Sequence, residues 1–210
     1  MFHERHFNEI NNITDVSRET FSDIVKFSEQ IIRWNNSINL VSKKTLSPEE
    51  LWSRHILDSV QLIKYLPKDA GVITDLGSGG GFPAIILAIV SKEDRRIHLV
   101  ESDQKKCAFL IDMAGQIRKN VTIHNQRIED VAPWETDVLT SRALAPLENL
   151  LEFSKMFHVK HSISLFLKGG SVASEIAMAS KRWDLEYDIY PSITSEDGSV
   201  VKVTKYKNKV

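Results

Sequence analysis

A single cysteine, Cys107, in 210 residues excludes an internal disulfide and a thiolate metal cluster. Long apolar runs are missing as well. The longest, Ala84 to Val90, falls far short of the roughly 20 residues that span a bilayer, and the stretch MFHERHFNEINN has no apolar signal core. A strong charge of either sign is also absent, with 27 Lys and Arg against 28 Asp and Glu and a formal net charge of -1. Nothing global draws such a chain to nucleic acid, so an RNA partner needs a local basic patch. One histidine pair, His158 and His161, stands close together without carboxylates or cysteines beside it, and no metal is expected. The remaining composition, 42% hydrophobic and 26% charged, is ordinary for a globular protein. These absences predict a cytosolic protein with no membrane segment.

What is present falls into two textures. Residues 1–66 read as a helical extension. From Ser17 to Trp34 the apolar positions Phe21, Ile24, Val25, Phe27, Ile31, Ile32 and Trp34 follow a 3.6-residue period. After the break NNSINLVSKK, Ser47-Pro48-Glu49-Glu50 combines a Ser N-cap, Pro at the first helical position and Glu three after the cap. That capping box predicts a helix to about Tyr65, stopped by Leu66-Pro67. Residues 67–210 then alternate strand and helix. VITDLG, RIHLVES, VTIHNQ, DVLTSRA and SISLFLKG are strand-like; FPAIILAIVS, QKKCAFLIDMAGQI, LENLLEFSKMF and SVASEIAMASKRW are helical. Mostly apolar strands alternating with helices predict an α/β fold with a parallel sheet covered on each side. DLEYDIYPS and SVVKVTKYK flank the turn EDGS and read as a closing antiparallel hairpin. The extension is expected to pack on this core as one folding unit.

Four glycines, Gly77, Gly79, Gly80 and Gly81, crowd into DLGSGGGFPAIILAIV between the first strand and its helix, the loop over which open α/β sheets bind ligands. The dinucleotide fingerprint needs a small residue at the third position, and Phe82 stands there. The pattern present is G-x-G-x-G over Gly77, Gly79 and Gly81, preceded by Asp75. A backbone so bared suits a ligand whose nearest part carries no phosphate, and S-adenosylmethionine is the natural candidate. Glu101, closing the second strand about 20 residues on, is placed to accept from a ribose hydroxyl pair; a surface cap on the helix near Gln104 is its other reading. Glu129-Asp130 follows the third strand, where an adenine ring would lie, although acids at helix starts also serve the helix dipole.

Taken together these residues resemble the bacterial 16S ribosomal RNA guanine-N7 methyltransferases, a family also called glucose-inhibited division protein B. The resemblance rests on WNNSINLVS from Trp34, RHILDS from Arg54, DLGSGGGFPAIILAI from Asp75, LVES from Leu99, RIED from Arg127, SRALAPL from Ser141 and LFLKG from Leu165. It implies a Rossmann-like class I methyltransferase fold and methyl transfer from S-adenosylmethionine to N7 of a guanine in the decoding-region loop. The partner is then 16S ribosomal RNA or the small subunit, and a monomer is expected. It also implies cofactor contacts at Gly77, Phe82, Ile128, Glu129 and Arg142, to which the loop pattern adds Gly79 and the strand end adds Glu101. Where the family usually has a glycine after the proline, this chain has Ala84.

Guanine N7 carries no proton at neutral pH, so its methylation needs positioning rather than a general base. Cys107, inside a helical pattern, reads as a core thiol and not a nucleophile. Arg142 is expected to contact the cofactor, guanine O6 or a phosphate, because donation to N7 would occupy the attacking lone pair. His55 and Asp58 are expected to line the guanine pocket, with Arg54 and Asp58, four apart, able to pair along a helix. Asn35 and Asn39 either bind RNA or end a helix. Lys168 reads as a rim lysine, in contact with RNA phosphate or solvated. Lys43, Lys44, Lys155, Lys160, Lys181, Arg182, Lys202, Lys205, Lys207 and Lys209 are further basic candidates, dispersed enough to predict modest RNA affinity. Two rivals are a nicotinamide oxidoreductase, opposed by Phe82, and a ribosome-binding protein without catalysis.

Overall fold

The computed structural model describes residues 3–92, 94–117 and 119–209, with the Lys160 side chain outside the described part. Its seven-stranded sheet has the order β3-β2-β1-β4-β5-β7-β6. The strands are β1 (Val72–Leu76), β2 (Arg96–Glu101), β3 (Val121–Asn125), β4 (Thr136–Arg142), β5 (His158–Lys168), β6 (Trp183–Pro191) and β7 (Ser199–Asn208). The first five run parallel, and β7 is antiparallel to both β5 and β6. The closing hairpin therefore enters the sheet with its second strand innermost. The order reverses beside β1, and the carboxyl ends of β1 and β4 flank the crevice where such sheets bind ligands.

All five residues of β1 are buried, as are all seven of the helix Ala84–Val90 that follows it. A helix apolar all round must be enclosed on every side. Here the helices Arg18–Trp34 and Gln104–Ile117, the stretch after Pro48 and the sheet enclose it, and residues of both the extension and the core share one hydrophobic cluster. The helix begins at Ala84, whose methyl is completely buried.

The stretch after Ser47 is continuous but not uniform. Pro48–Leu51 is α-helical, Trp52–Leu57 is a π turn, Asp58–Val60 is α-helical and Gln61–Tyr65 is 3-10. Ser47 accepts from Glu50 N–H, while the Glu50 carboxylate turns outward to Arg54. Half of the capping box is therefore present. The expected Arg54–Asp58 pair does not form, because the extra residue per turn of a π segment rotates Asp58 off the i+4 position. Helices cover both sides of the sheet as expected, Arg18–Trp34, Ala84–Val90 and Gln104–Ile117 on one face and Leu147–Ser154 and Val172–Arg182 on the other. No helix longer than the 3-10 turn Ile128–Asp130 lies between β3 and β4. Trp134 covers the sheet there, donating to Thr74 Oγ1 at 2.9 Å and stacking on His124 at 4.3 Å.

Asn35 ends its helix from the inside. Its buried Oδ1 accepts from Leu40 and Val41 N–H at 2.8 and 2.9 Å, which seats Leu40 on the glycine loop. A Cβ added at Gly80 would lie 3.0 Å from the Leu40 carbonyl oxygen. Gly115, inside the helix Gln104–Ile117, has no atom within 4 Å of such a Cβ. Gly80→Ala should therefore destabilise the protein by about 1–3 kcal/mol through overpacking, and Gly115→Ala should stabilise it by about 0.5–1 kcal/mol through helix propensity. Denaturant unfolding of the two variants beside the parent checks the contrast.

Candidate active site

Two cavities meet at the carboxyl ends of β1 and β4. The smaller, about 390 Å³, is lined by Gly77, Gly79, Phe82, Glu101, Ile128, Glu129 and Arg142 among others. The larger, about 640 Å³, is lined by His55, Asp58 and again Arg142. Arg142, Ala143 and Leu144 border both. All nine residues singled out from the sequence thus fall on one of two adjoining cavities, with Arg142 in their common wall.

The glycines divide the work of the loop. Gly77, Gly79 and Gly81 have φ of +68°, +54° and +85°, a region that costs other residues roughly 1–2 kcal/mol. A Cβ at Gly77 would strike Leu144 at 2.6 Å, one at Gly81 would strike Ile85 at 2.7 Å, and Gly79 alone meets nothing closer than 3.9 Å. Gly79 is the open position facing the small cavity. Its N–H donates to Glu101 Oε2 at 2.8 Å, and Glu101 Oε1 accepts from Asp103 N–H at 2.8 Å. Glu101 is thus a buried brace of the loop, and the cap of the following helix is Asp103, which accepts from Lys105 and Lys106 N–H. Below the loop, Asp75 Oδ1 accepts the Thr140 hydroxyl at 2.7 Å, while Oδ2 is buried without a hydrogen-bond partner. Burial pushes this carboxyl up to about 7 against the Thr140 hydrogen bond.

Phe82 is buried against Phe27 and His55, with ring centroids at 5.2 and 5.0 Å. A bulky ring occupies the place where a dinucleotide loop needs a small residue, which tells against the nicotinamide alternative. The Arg142 guanidinium carbon lies 5.2 Å from the Phe82 centroid. Its Nη1 donates to the Arg54 carbonyl at 3.0 Å and its Nη2 to His55 Nδ1 at 2.7 Å. His55 Nε2 therefore carries the ring proton and points it at Thr45 Oγ1, 2.9 Å away. Burial, then the Arg142 and Arg54 charges, push the His55 imidazolium down to about 3. Burial also lowers the Arg142 pKa, opposed by the charges of Asp58 and Asp75. A neutral imidazole is thus the acceptor for a half-buried cation, and the π turn exposes the Arg54 carbonyl beside it.

Lys168 is not a rim lysine. Its side chain is 8% exposed, and Nζ donates to Glu175 Oε2 and the Ala145 carbonyl, both at 2.7 Å. Glu175 also accepts from Leu147 N–H at 2.9 Å and from Ser171 Oγ at 2.7 Å. The pair clamps residues 143–147, where Ala143 sits at φ +54°, a conformation that a non-glycine residue keeps only when its surroundings hold it. Sequence reasoning also missed Leu144, an apolar residue within SRALAPL, and Thr194 and Ser195, which line the cavities but carry no motif. Four of the other basic candidates are engaged: Lys155 and Arg182 with Glu152, Lys205 with Glu186 and Lys209 with the Ser180 carbonyl. Lys43 and Lys44 are exposed immediately before Thr45 at the mouth of the larger cavity. Cys107 is buried and donates to the Glu101 carbonyl, with burial pushing its thiol up to about 11. Among the described residues, no group of three or more His, Cys, Asp or Glu is placed to hold a metal, and no helix is long and apolar enough to cross a membrane.

Comparison with known proteins places this geometry. The model of the family described as rRNA small subunit methyltransferase G matches residues 20–200. Ribosomal RNA small subunit methyltransferase G of Gluconobacter oxydans (strain 621H) is 43% identical over 198 residues, 94% of this chain and 100% of that protein. The protein of the same name from Ruegeria sp. (strain TM1040) is 43% identical over 192 residues, 90% of this chain and 92% of that protein. Among solved structures, a SAM dependent methyltransferase from Aquifex aeolicus superposes with a TM-score of 0.59 at 13% identity, covering 77% of this chain and 95% of that one. The O-methyltransferase from Bacillus cereus in complex with SAH gives 0.58 at 13% identity, covering 94% and 96%. At such identity the structural likeness speaks for the fold alone, which is the Rossmann-like class I methyltransferase fold.

Two outcomes follow for the site. Lys168→Met leaves Glu175 without its cation and should lower stability by about 2–4 kcal/mol in denaturant unfolding. The raised Asp75 carboxyl keeps a proton in the folded protein that the unfolded chain has released, so rising pH from about 4 to 7 costs stability through this group. His55 acts with the opposite sign below about 6.5, since its proton is favoured in the unfolded chain. That term is common to the parent and Asp75→Asn and cancels in their difference. The variant should therefore gain stability relative to the parent as pH rises across this window, as measured by unfolding both at several pH values.

Proposed function

The chain belongs to the rRNA small subunit methyltransferase G family, and on that premise we propose that it methylates N7 of a guanine in 16S ribosomal RNA, in the decoding-region loop. The observation that carries this reading is the pair of cavities sharing the Arg142–Leu144 wall, one on the glycine loop and one opening toward Lys43 and Lys44. A methyl donor and a large acceptor can thereby face each other across one short loop.

The cofactor is S-adenosylmethionine, and the residues present fit it. Gly79 leaves its backbone open to the small cavity, whose lining also carries the Glu101 carboxylate. When bound, this group supplies an electrophilic methyl on a sulfonium. We assign Gly77, Gly79 and Phe82 to its methionine side, Glu101 to the ribose, and Ile128 and Glu129 to the adenine. Each Glu101 oxygen already accepts one backbone N–H and has a further lone pair for a hydroxyl.

No residue is asked to remove a proton, because N7 attacks through a lone pair that is free at neutral pH. His55, neutral down to about pH 3, holds the guanidinium by its Nδ1 and is no base here. Two of the five Arg142 N–H donors are committed to His55 and Arg54. The remaining donors serve guanine O6, a phosphate or the cofactor, and leave N7 unblocked. Catalysis is then alignment of two groups in a water-poor junction.

Lys43 and Lys44 are our candidates for phosphate contact. With a formal net charge of -1 and the basic groups dispersed, recognition draws on shape more than on charge. The substrate is therefore either the RNA or the small subunit that presents it. We take the protein to act as a cytoplasmic monomer. We also take residues 1–66 as a helical extension packed on the 67–210 core in one folding unit, a reading supported by the hydrophobic cluster the two share.

Incubation with labelled S-adenosylmethionine and small subunits or 16S RNA lacking the mark, followed by cleavage at N7-methylguanine, tests the activity. Transfer to one guanine is expected, and no transfer to either substrate would refute it. Arg142→Lys should lower kcat/KM by about a hundredfold, since a point charge cannot make both guanidinium contacts. Undiminished turnover in that variant would remove Arg142 from the mechanism.

A further inference from the structure

The larger cavity has a wall built from the closing hairpin. Residues 192–198 between β6 and β7 are tied to the π turn through Asp58 and Gln61. Asp58 Oδ1 accepts from Gln61 Nε2 at 2.7 Å, Thr194 Oγ1 at 3.1 Å and Ser192 Oγ at 3.3 Å. Gln61, 1% exposed, also accepts from Ile193 N–H at 3.1 Å through Oε1. These bonds fix the plane of the Asp58 carboxylate and exhaust Oδ1. None of them reaches Oδ2, although Asp58 lines the cavity. One carboxylate oxygen is therefore held in place and left without a donor in a space whose volume, about 640 Å³, lies in the usual range for small-molecule sites.

Guanine is the common base whose pairing edge offers two neighbouring donors, N1–H and the N2 amine; adenine offers an acceptor at N1. Enzymes that act on an extruded base read that edge. We infer that Asp58 Oδ2 accepts from the N1–H and N2–H edge of the target guanine and is the residue that selects guanine for methylation. This deepens the reading above and rests on it. A base held by its N1–N2 edge leaves its N7 edge free for the wall shared with the cofactor cavity. Burial raises the Asp58 pKa, opposed by the Arg142 charge and the Thr194, Ser192 and Gln61 hydrogen bonds. The hairpin loop gains a purpose, since Ser192, Thr194 and Gln61 aim the reading group without touching the base.

The test uses the full-length protein and RNA with guanosine or inosine at the methylated nucleotide, since inosine keeps N1–H, O6 and N7 but lacks the N2 amine. The parent should show a kcat/KM about tenfold or more lower on the inosine RNA, the worth of a hydrogen bond to a charged group. In Asp58→Asn the Oδ1 contacts persist while an N–H opposes the base edge. Transfer to guanosine RNA should fall about a hundredfold, and the guanosine-to-inosine ratio should close toward one. A purely structural anchor would lower both RNAs alike and keep the ratio, and that outcome would overturn the proposal. Equal kcat/KM of the parent on the two RNAs would also overturn it, whether or not the variant folds. Absence of transfer by the parent to either RNA would remove the methyltransferase reading and this one with it.

Discussion

A half-buried guanidinium is held in one orientation only by acceptors that the protein itself supplies, and the site of this protein is arranged around that need. Arg142 ends β4 at the crevice, and two of its donors go to the Arg54 carbonyl and His55 Nδ1. The carbonyl is available because the segment Trp52–Leu57 winds as a π turn. The imidazole is available because it stays neutral, with its proton directed to Thr45. One cation thus ties the helical extension to the sheet and sets the wall between two cavities. The clamp of Lys168 and Glu175 on Ala145 and Leu147 holds the other end of the same short loop. A wall anchored at both ends can keep a strained residue, Ala143, between two binding spaces.

The glycine cluster shows how one motif can answer several physical demands. Gly77 and Gly81 avoid collisions with Leu144 and with Ile85, and Gly80 lets the carbonyl of Leu40 close in from the extension. Only Gly79 is bare toward the cavity. The density of glycines therefore reflects packing of the loop on three sides as much as room for a ligand.

Most of the sheet and its helices was legible in the chain, because apolar period and turn residues change together at each boundary; QKKCAFLIDMAGQI forms the helix Gln104–Ile117 end to end. The nine site residues gather at the two cavities because glycine spacing, strand ends and the family segments all point to the same crevice. What was not legible depends on contacts distant in sequence. Lys168 looks solvated until Glu175 and the Ala145 carbonyl are brought to it. Arg54 and Asp58 look like a helix pair until a π turn, which no local composition announces, separates them. Ser192 and Thr194 lie in a polar loop with no motif, and their role comes from Asp58 more than 130 residues earlier. Trp134, in a stretch with no regular pattern, covers the sheet because its ring reaches both Thr74 and His124.

The account rests on methyl donor and base meeting across the Arg142–Leu144 wall. A crystal structure with S-adenosylhomocysteine tests that most directly. The account predicts the ligand in the cavity of Gly77, Gly79, Glu101 and Ile128, with its sulfur at Arg142–Leu144 and facing the cavity of His55 and Asp58. A ligand seated elsewhere, or one whose sulfur faces away from that wall, would contradict it.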